Sequence, residues 1–327
     1  MTNPPLLLCF QLSQLLAFYL SLVSRSVGQA AQLSTALRSC RDMATRVFFE
    51  QLRTKGDKLL RTPPVPPKDL SPPPEVFESV HTLLDIISAF ESALQSSPSG
   101  SDAAAAAAAS QEELAPVLAA ALNPLIETCE RSAEALTPDA PSRVDEVAKL
   151  DPAAHHIYLI NCLLAITSAL SDRRVVLPRV QQLSDVIEGH ISALVGGEVG
   201  RLLAHCGLAE VLERLRLYQQ PRDAPDAPAT PSGSPSSDPE LSLPRIADAM
   251  RSFFVLVSTP DTLPEFLQIQ APRTRADAVA RVGKALVDAY ELVWHAVDDP
   301  SCGYLEQGGV SAIKHTPAQV NTILGVV

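Results

Sequence analysis

Two stretches of this chain are too rich in proline to be helical, and they divide everything else. Residues 63–74 hold seven prolines in twelve positions. Each removes an amide donor and clashes with the preceding turn, so the segment is expected to run as an extended connector. Residues 221–244 hold seven more, mixed with Ser, Asp, Ala and Gly and almost free of large apolar side chains, which is the composition of a flexible linker or disordered loop. A softer interruption covers 96–110, where a Ser/Gly tract meets seven alanines. Those alanines can extend a helix, but the low complexity reads as a variable loop.

Between the breaks, apolar residues recur at three and four, the helical period. Leu33, Leu37, Cys40, Ala44, Val47, Phe48 and Leu52 form one stripe; Val76, Val80, Leu83, Leu84, Ile87, Phe90 and Leu94 form another. The second opens on prolines ending at Pro74, with Glu75 in its first turn, both favourable at a helix start. A third helix is predicted over 114–136, with Pro124 as a kink. Tyr158 to Leu170 is apolar around most of its circumference, as a central helix should be. Leu177, Val180, Ile187, Ile191 and Leu194 lie on the next helix, which Gly196 and Gly197 are expected to end. Leu202, Leu203, Cys206, Leu212 and Leu215 follow on another. Beyond the second linker, Ile246 to Val257 is a short helix, and Val279, Val282, Leu286, Ala289, Tyr290, Val293, Trp294 and Val297 give the clearest stripe. The last element starts at Thr316-Pro317, a cap followed by proline.

No run of Val, Ile and Thr alternates long enough to suggest a sheet, glycines number only 14, and the 46% hydrophobic content is mostly Ala, Leu and Val. The fold class expected is all-α, as stacked antiparallel helices. At 327 residues, above the roughly 250–300 at which one core stops growing, two packed units or one elongated stack are expected. The predicted organisation is a helical segment over 1–62, the connector 63–74, a central bundle 75–220 with its loop 96–110, the linker 221–244 and a C-terminal bundle 245–327.

The formal net charge of −11 argues against nucleic acid and anionic lipid surfaces as partners. Cys9, Cys40, Cys129, Cys162, Cys206 and Cys302 are far apart, which fits reduced thiols better than a disulfide framework. Leu6 to Val23 is apolar enough to imitate a secretory signal. The first basic residue is Arg25, however, and Gln11, Ser13 and Gln14 interrupt the run, so a helix packed through Leu12, Leu15, Leu16, Tyr19 and Leu22 or Val23 is the preferred reading. A secreted or membrane-anchored helical protein with an N-terminal signal segment is the alternative.

Reacting groups are scarce. His155 and His156 are adjacent, so on a helix they point about a hundred degrees apart and cannot both ligate one ion from a single face. Gly196 to Gly200 has a faint likeness to a phosphate loop, but neither a preceding strand nor a Gly-Lys-Ser accompanies it. Asp172-Arg173-Arg174 is a candidate anion site, with a helix junction capped by Asp172 as the plainer reading. Trp294 reads as core before it reads as a partner anchor. No catalytic, cofactor-binding or metal residue is assigned, no cofactor is expected, and the chain does not read as an enzyme.

Several short segments resemble one family in order along the chain. They are Leu12 to Tyr19, Val47-Phe48-Phe49-Glu50-Gln51-Leu52, Leu122-Asn123-Pro124-Leu125-Ile126-Glu127-Thr128-Cys129, Tyr158-Leu159-Ile160-Asn161-Cys162-Leu163, Asp172-Arg173-Arg174, Gly189-His190-Ile191, Ala289-Tyr290-Glu291-Leu292-Val293 and His315 to Leu324. Together they are similar to subunit six of the conserved oligomeric Golgi complex, in its C-terminal half. The resemblance places Leu12 to Tyr19 inside a soluble rod and makes 1–62 the continuation of an N-terminal half that is missing here. It implies a helical rod of the kind shared with the exocyst, and a role without catalysis in intra-Golgi retrograde vesicle tethering. The implied partners are the other subunits of that complex, with membrane-fusion (SNARE) helices and Golgi trafficking factors beside them. The implied place is the cytosolic face of the Golgi membrane, held peripherally. Linker 221–244 and the alanine tract look like insertions and carry no assigned role.

Overall fold

The computed structural model describes residues 4–96, 103–137, 153–219, 234–259 and 264–325. Among them the regular structure is ten α-helices and short 3-10 turns, without a strand, in agreement with the all-α expectation. The helices are α1 (Leu6–Val27), α2 (Gln32–Arg61), α3 (Pro74–Ser96), α4 (Ala103–Glu134), α5 (Ala154–Leu170), α6 (Leu177–His205), α7 (Leu208–Gln219), α8 (Leu243–Ser258), α9 (Pro272–Asp298) and α10 (Pro317–Leu324). Two compact units divide at His190 and Ile191, inside α6, and not at the second proline-rich segment. The reason lies in α7, which packs on α8 and α9 and so belongs with the C-terminal helices.

In the first unit α1 and α2 form an antiparallel hairpin. Gly28 turns the chain at φ 93°, a conformation that costs a residue with a Cβ, and its carbonyl accepts from Ser34 Oγ at 2.9 Å. Phe10 lies over Phe48 at 5.0 Å between ring centroids, and Gln51 Nε2 donates to the Pro4 carbonyl at 3.0 Å. α2 also packs on α4, where Gly56 admits Pro124: a Cβ at 56 would sit 3.0 Å from the proline ring. α3 buries Val76, Val80, Leu83, Ile86, Ile87 and Phe90. α5 is enclosed on nearly all sides, with α3 and α4 packed against it, as its all-round apolarity foretells. Asn161, one of its few polar residues, donates from Nδ2 to the Leu70 carbonyl at 2.8 Å, which ties the connector to the central helix.

The low complexity of 103–110 points to a loop, yet α4 begins at Ala103. Alanine is the best helix former, and nothing in the tract opposes it. The rest of the expected loop, 97–102, lies outside the described residues, as does 220–233 of the second linker. The remainder of that linker is packed: Pro235 and Leu241 are buried in 3-10 turns, and α8 has begun by Leu243. Three contacts hold it in the second unit. Arg214 pairs with Asp238 at 3.0 Å, Asp238 Oδ1 accepts from the Glu240 amide at 2.9 Å, and the buried Tyr304 hydroxyl donates to the Leu241 carbonyl at 2.9 Å. Phe253 packs on Tyr290 at 5.2 Å between centroids, and the Tyr290 hydroxyl donates to the His315 carbonyl at 2.8 Å. At the last helix the Thr316 amide donates to Gln319 Oε1 at 3.0 Å, the backward half of a capping box.

Gly196 and Gly197 do not end their helix. α6 continues through both and through Gly200 to His205, and the true break is Gly207, at φ 76°. Buried Ile191, Leu194 and Leu202 on either side keep one stripe in register, and that burial outweighs about 1 kcal/mol lost per helical glycine. Both glycines are exposed, and a methyl group at either position would meet nothing within 4 Å. Gly196→Ala and Gly197→Ala are therefore each expected to stabilise the protein by about 0.5–1 kcal/mol, read as a higher urea midpoint at unchanged slope.

Candidate docking surfaces

α1 turns outward an apolar face that nothing among the described residues covers. Leu8, Leu12, Leu15, Tyr19 and Leu22 are 52, 45, 51, 49 and 41% exposed, spaced four, three, four and three residues apart, the register of a coiled-coil seam. The inward face is the opposite one, through Leu6, Cys9, Phe10, Ser13 and Leu20. This reverses the expectation that Leu12, Leu15 and Tyr19 pack inside. α1 is apolar on every side, so its period does not say which side α2 covers. By length and composition α1 could also cross a membrane, with 28% of its most apolar window buried. The signal-segment alternative is not favoured, since Cys9, Phe10 and Leu20 are core residues of the hairpin.

A second surface is a groove of about 560 Å³ between α2 and α3. The connector 63–73 contains no helix, and α2 packs mainly on α1 and α4 while α3 packs on α1, α5 and α4. The two helices therefore stand apart. The small residues Ala120 and Ala121 of α4 leave the gap unfilled, over a floor that includes Leu52, Leu59, Leu83 and Ile86. Lys55 and Lys58 rise along the α2 rim, Glu75 and Glu78 along the α3 rim. All four are exposed, and they make no ion pair among the described residues.

The polar candidates sort differently. His155 and His156 meet His190 of α6: His156 Nδ1 and His190 Nδ1 lie 3.2 Å apart, one donating to the other, while His155 Nδ1 contacts the Ala133 carbonyl at 3.0 Å. His190 is 34 residues from its partner, and in the sequence only the family resemblance singles it out. Burial first, and neighbouring rings second, hold His156 and His190 below their usual 6.5. The unfolded chain thus takes up protons at a higher pH than the folded one. This contribution to stability is complete above about pH 6.5 and is lost as pH falls through the lower folded values. His190→Gln is expected to flatten the melting temperature against pH between about 5 and 7.

Asp172 does not cap the turn that follows it: Arg174–Val176 starts after Arg173, without a side-chain cap, and Arg173 is drawn to Glu91 at 2.7 Å. That pairing leaves no two free arginines for an anion. Gly196 to Gly200 is helix, not a phosphate loop. Trp294 is half-buried, outside the innermost row of α9 that holds Leu286, Tyr290, Val293 and Val297. Burial pushes the thiols of Cys206 and Cys302 upward, away from a reactive thiolate. It also pushes the Tyr290 phenol up to about 12. Among the described residues no group of three or more His, Cys, Asp or Glu is placed to hold a metal ion.

Comparison with known proteins follows the same line. The subunit 6 protein of the conserved oligomeric Golgi complex from Arabidopsis thaliana is 34% identical over 99% of this chain and 48% of its own length. The Homo sapiens protein of that description is 23% identical over 98% of this chain and 44% of its own. The chain thus spans about half, or less, of the curated relatives it matches. In fold it is similar to S. cerevisiae Exo70, with a TM-score of 0.56 and 13% identity over 96% of this chain and 57% of that one. A second solved structure, of exocyst subunit Exo70p, gives 0.55 over 96% of this chain and 58% of that one. A sequence profile described as Conserved Oligomeric Golgi complex subunit 6, C-terminal, matches residues 1–324. The stacked helices, the colinear short segments and this full-span match have one meaning: the chain belongs to the family of conserved oligomeric Golgi complex subunit 6, through that family's C-terminal region.

Proposed function

We propose that this chain is a non-catalytic subunit of a Golgi vesicle-tethering complex, acting in intra-Golgi retrograde transport by holding other proteins. Its partners are the other subunits of the conserved oligomeric Golgi complex, with membrane-fusion (SNARE) helices and Golgi trafficking factors as further ones. It works at the cytosolic face of the Golgi membrane, to which it is held peripherally through the complex. The observation that carries this reading is the α1 seam. Five large apolar side chains in coiled-coil register face outward on a helix whose first charged residue is Arg25. Such a face is stable in water when another helix covers it, and a sister subunit's helix has the matching shape.

The test is affinity isolation of the tagged chain from its own cells, at normal abundance and under gentle lysis. Co-elution with the other subunits of the complex in one large assembly is expected. A clean monomer, with no subunit recovered, would contradict the reading.

A further inference from the structure

We infer that the groove between α2 and α3 is a seat for one amphipathic helix of a partner protein, with acidic side chains on the flank against α2 and basic ones on the flank against α3. This deepens the scaffold reading and rests on it. The charge pattern selects the occupant. Lys55 and Lys58 are three apart on one helix, and Glu75 and Glu78 three apart on the other, so each pair falls on one face of its helix and forms a short charged rim. Neither rim is neutralised from within the chain among the described residues. A bilayer would set one sign of charge against both rims and repel one of them.

The floor suits the same occupant. Leu52, Leu83 and Ile86 are buried, Leu59 is half-buried, and the two small alanines of α4 leave the centre open. A stripe of three or four apolar side chains would bury against that floor and supply the affinity, while the rims would set orientation and association rate. The connector fixes the width. Because it is tied to α5 through Asn161 and the Leu70 carbonyl, α3 cannot swing onto α2 without breaking a buried hydrogen bond.

Three synthetic helical peptides sharing one leucine stripe test this by fluorescence anisotropy against the full chain at low salt. One has a glutamate flank and a lysine flank, one has two glutamate flanks, one has two lysine flanks. The mixed peptide is expected to bind about tenfold more tightly than either uniform one. In the double variant Lys55→Glu, Lys58→Glu both rims are acidic, so preference is expected to pass to the lysine-flanked peptide. Both lysines are exposed, so the melting temperature of the variant should match the parent and keep the comparison sound. Equal binding of the three peptides, or a preference unchanged in the variant, overturns the proposal. So does self-association of the chain that the variant abolishes, which would assign the groove to a second copy. Recovery of sister subunits alongside failed peptide binding would remove the groove and leave the scaffold reading intact.

Discussion

Replacing Asn161 by leucine is expected to destabilise the first unit by about 1–3 kcal/mol, the cost of leaving a buried backbone acceptor without its donor. The acceptor is the carbonyl of Leu70, itself buried at 2% exposure and held at φ 55°. That conformation costs a residue with a Cβ about 1–2 kcal/mol. The turn persists because its surroundings over-determine it: the Leu70 amide donates to the Pro67 carbonyl at 3.0 Å, its side chain fills the core, and Asn161 takes its carbonyl. Leucine has nearly the shape of asparagine but no donor. The loss is to be read from the urea midpoint, and with it faster proteolysis within 63–73, since the freed connector becomes a substrate. Unchanged cleavage beside a lowered midpoint would mean that the asparagine stabilises α5 alone and does not anchor the connector.

Gly56→Leu is expected to destabilise the protein by about 2–3 kcal/mol, the range for overpacking a close helix contact. A Cβ here meets the Cβ and Cγ of Pro124 at 3.0 Å. The proline ring is fixed in α4 and cannot turn aside. Leucine gains about 1 kcal/mol of helix propensity over glycine, which the clash exceeds, so α2 must lift from α4. Gly56→Ala is the control: its propensity gain and its tight contact nearly cancel. The melting temperature of the two variants checks the contrast. Gly196 and Gly197 differ from Gly56 only in surroundings. Three glycines share one backbone state, and open space around two of them reverses the sign of the effect.

The parts of this fold that can be read from sequence are those where a residue's fate depends on its near neighbours. α3 is apolar on one side with a proline-led start, and Val76, Val80, Leu83, Ile87 and Phe90 of its expected stripe are buried, while Ile86, outside that stripe, is buried and Leu84 and Leu94 are half-buried. α5 is apolar almost all round, which means enclosure wherever it sits. α1 shows where such reading stops. It is also apolar all round, yet α2 covers only one side, and Phe48 across the hairpin helps to select it by meeting Phe10. The glycines of α6 mislead because helix-ending chemistry is local, while the burial on either side that overrides it is not. His190 lies 34 residues from His156, and no local pattern links them. The groove is illegible for the same reason. Lys55 and Glu78 look like ordinary solvated charges until the packing of α2 and α3 on different neighbours sets their helices apart and the small residues of α4 leave the space between them open.

That the chain acts through its outward helix faces is the claim on which the rest depends, and a paired Leu12→Glu, Leu15→Glu variant tests it most directly. Both leucines are about half exposed, so the melting temperature should stay near that of the parent. Recovery of the other complex subunits with the tagged variant should fall by about tenfold or more, as for a seam that loses its central anchors. Undiminished recovery of those subunits with a normally folded variant would contradict the account.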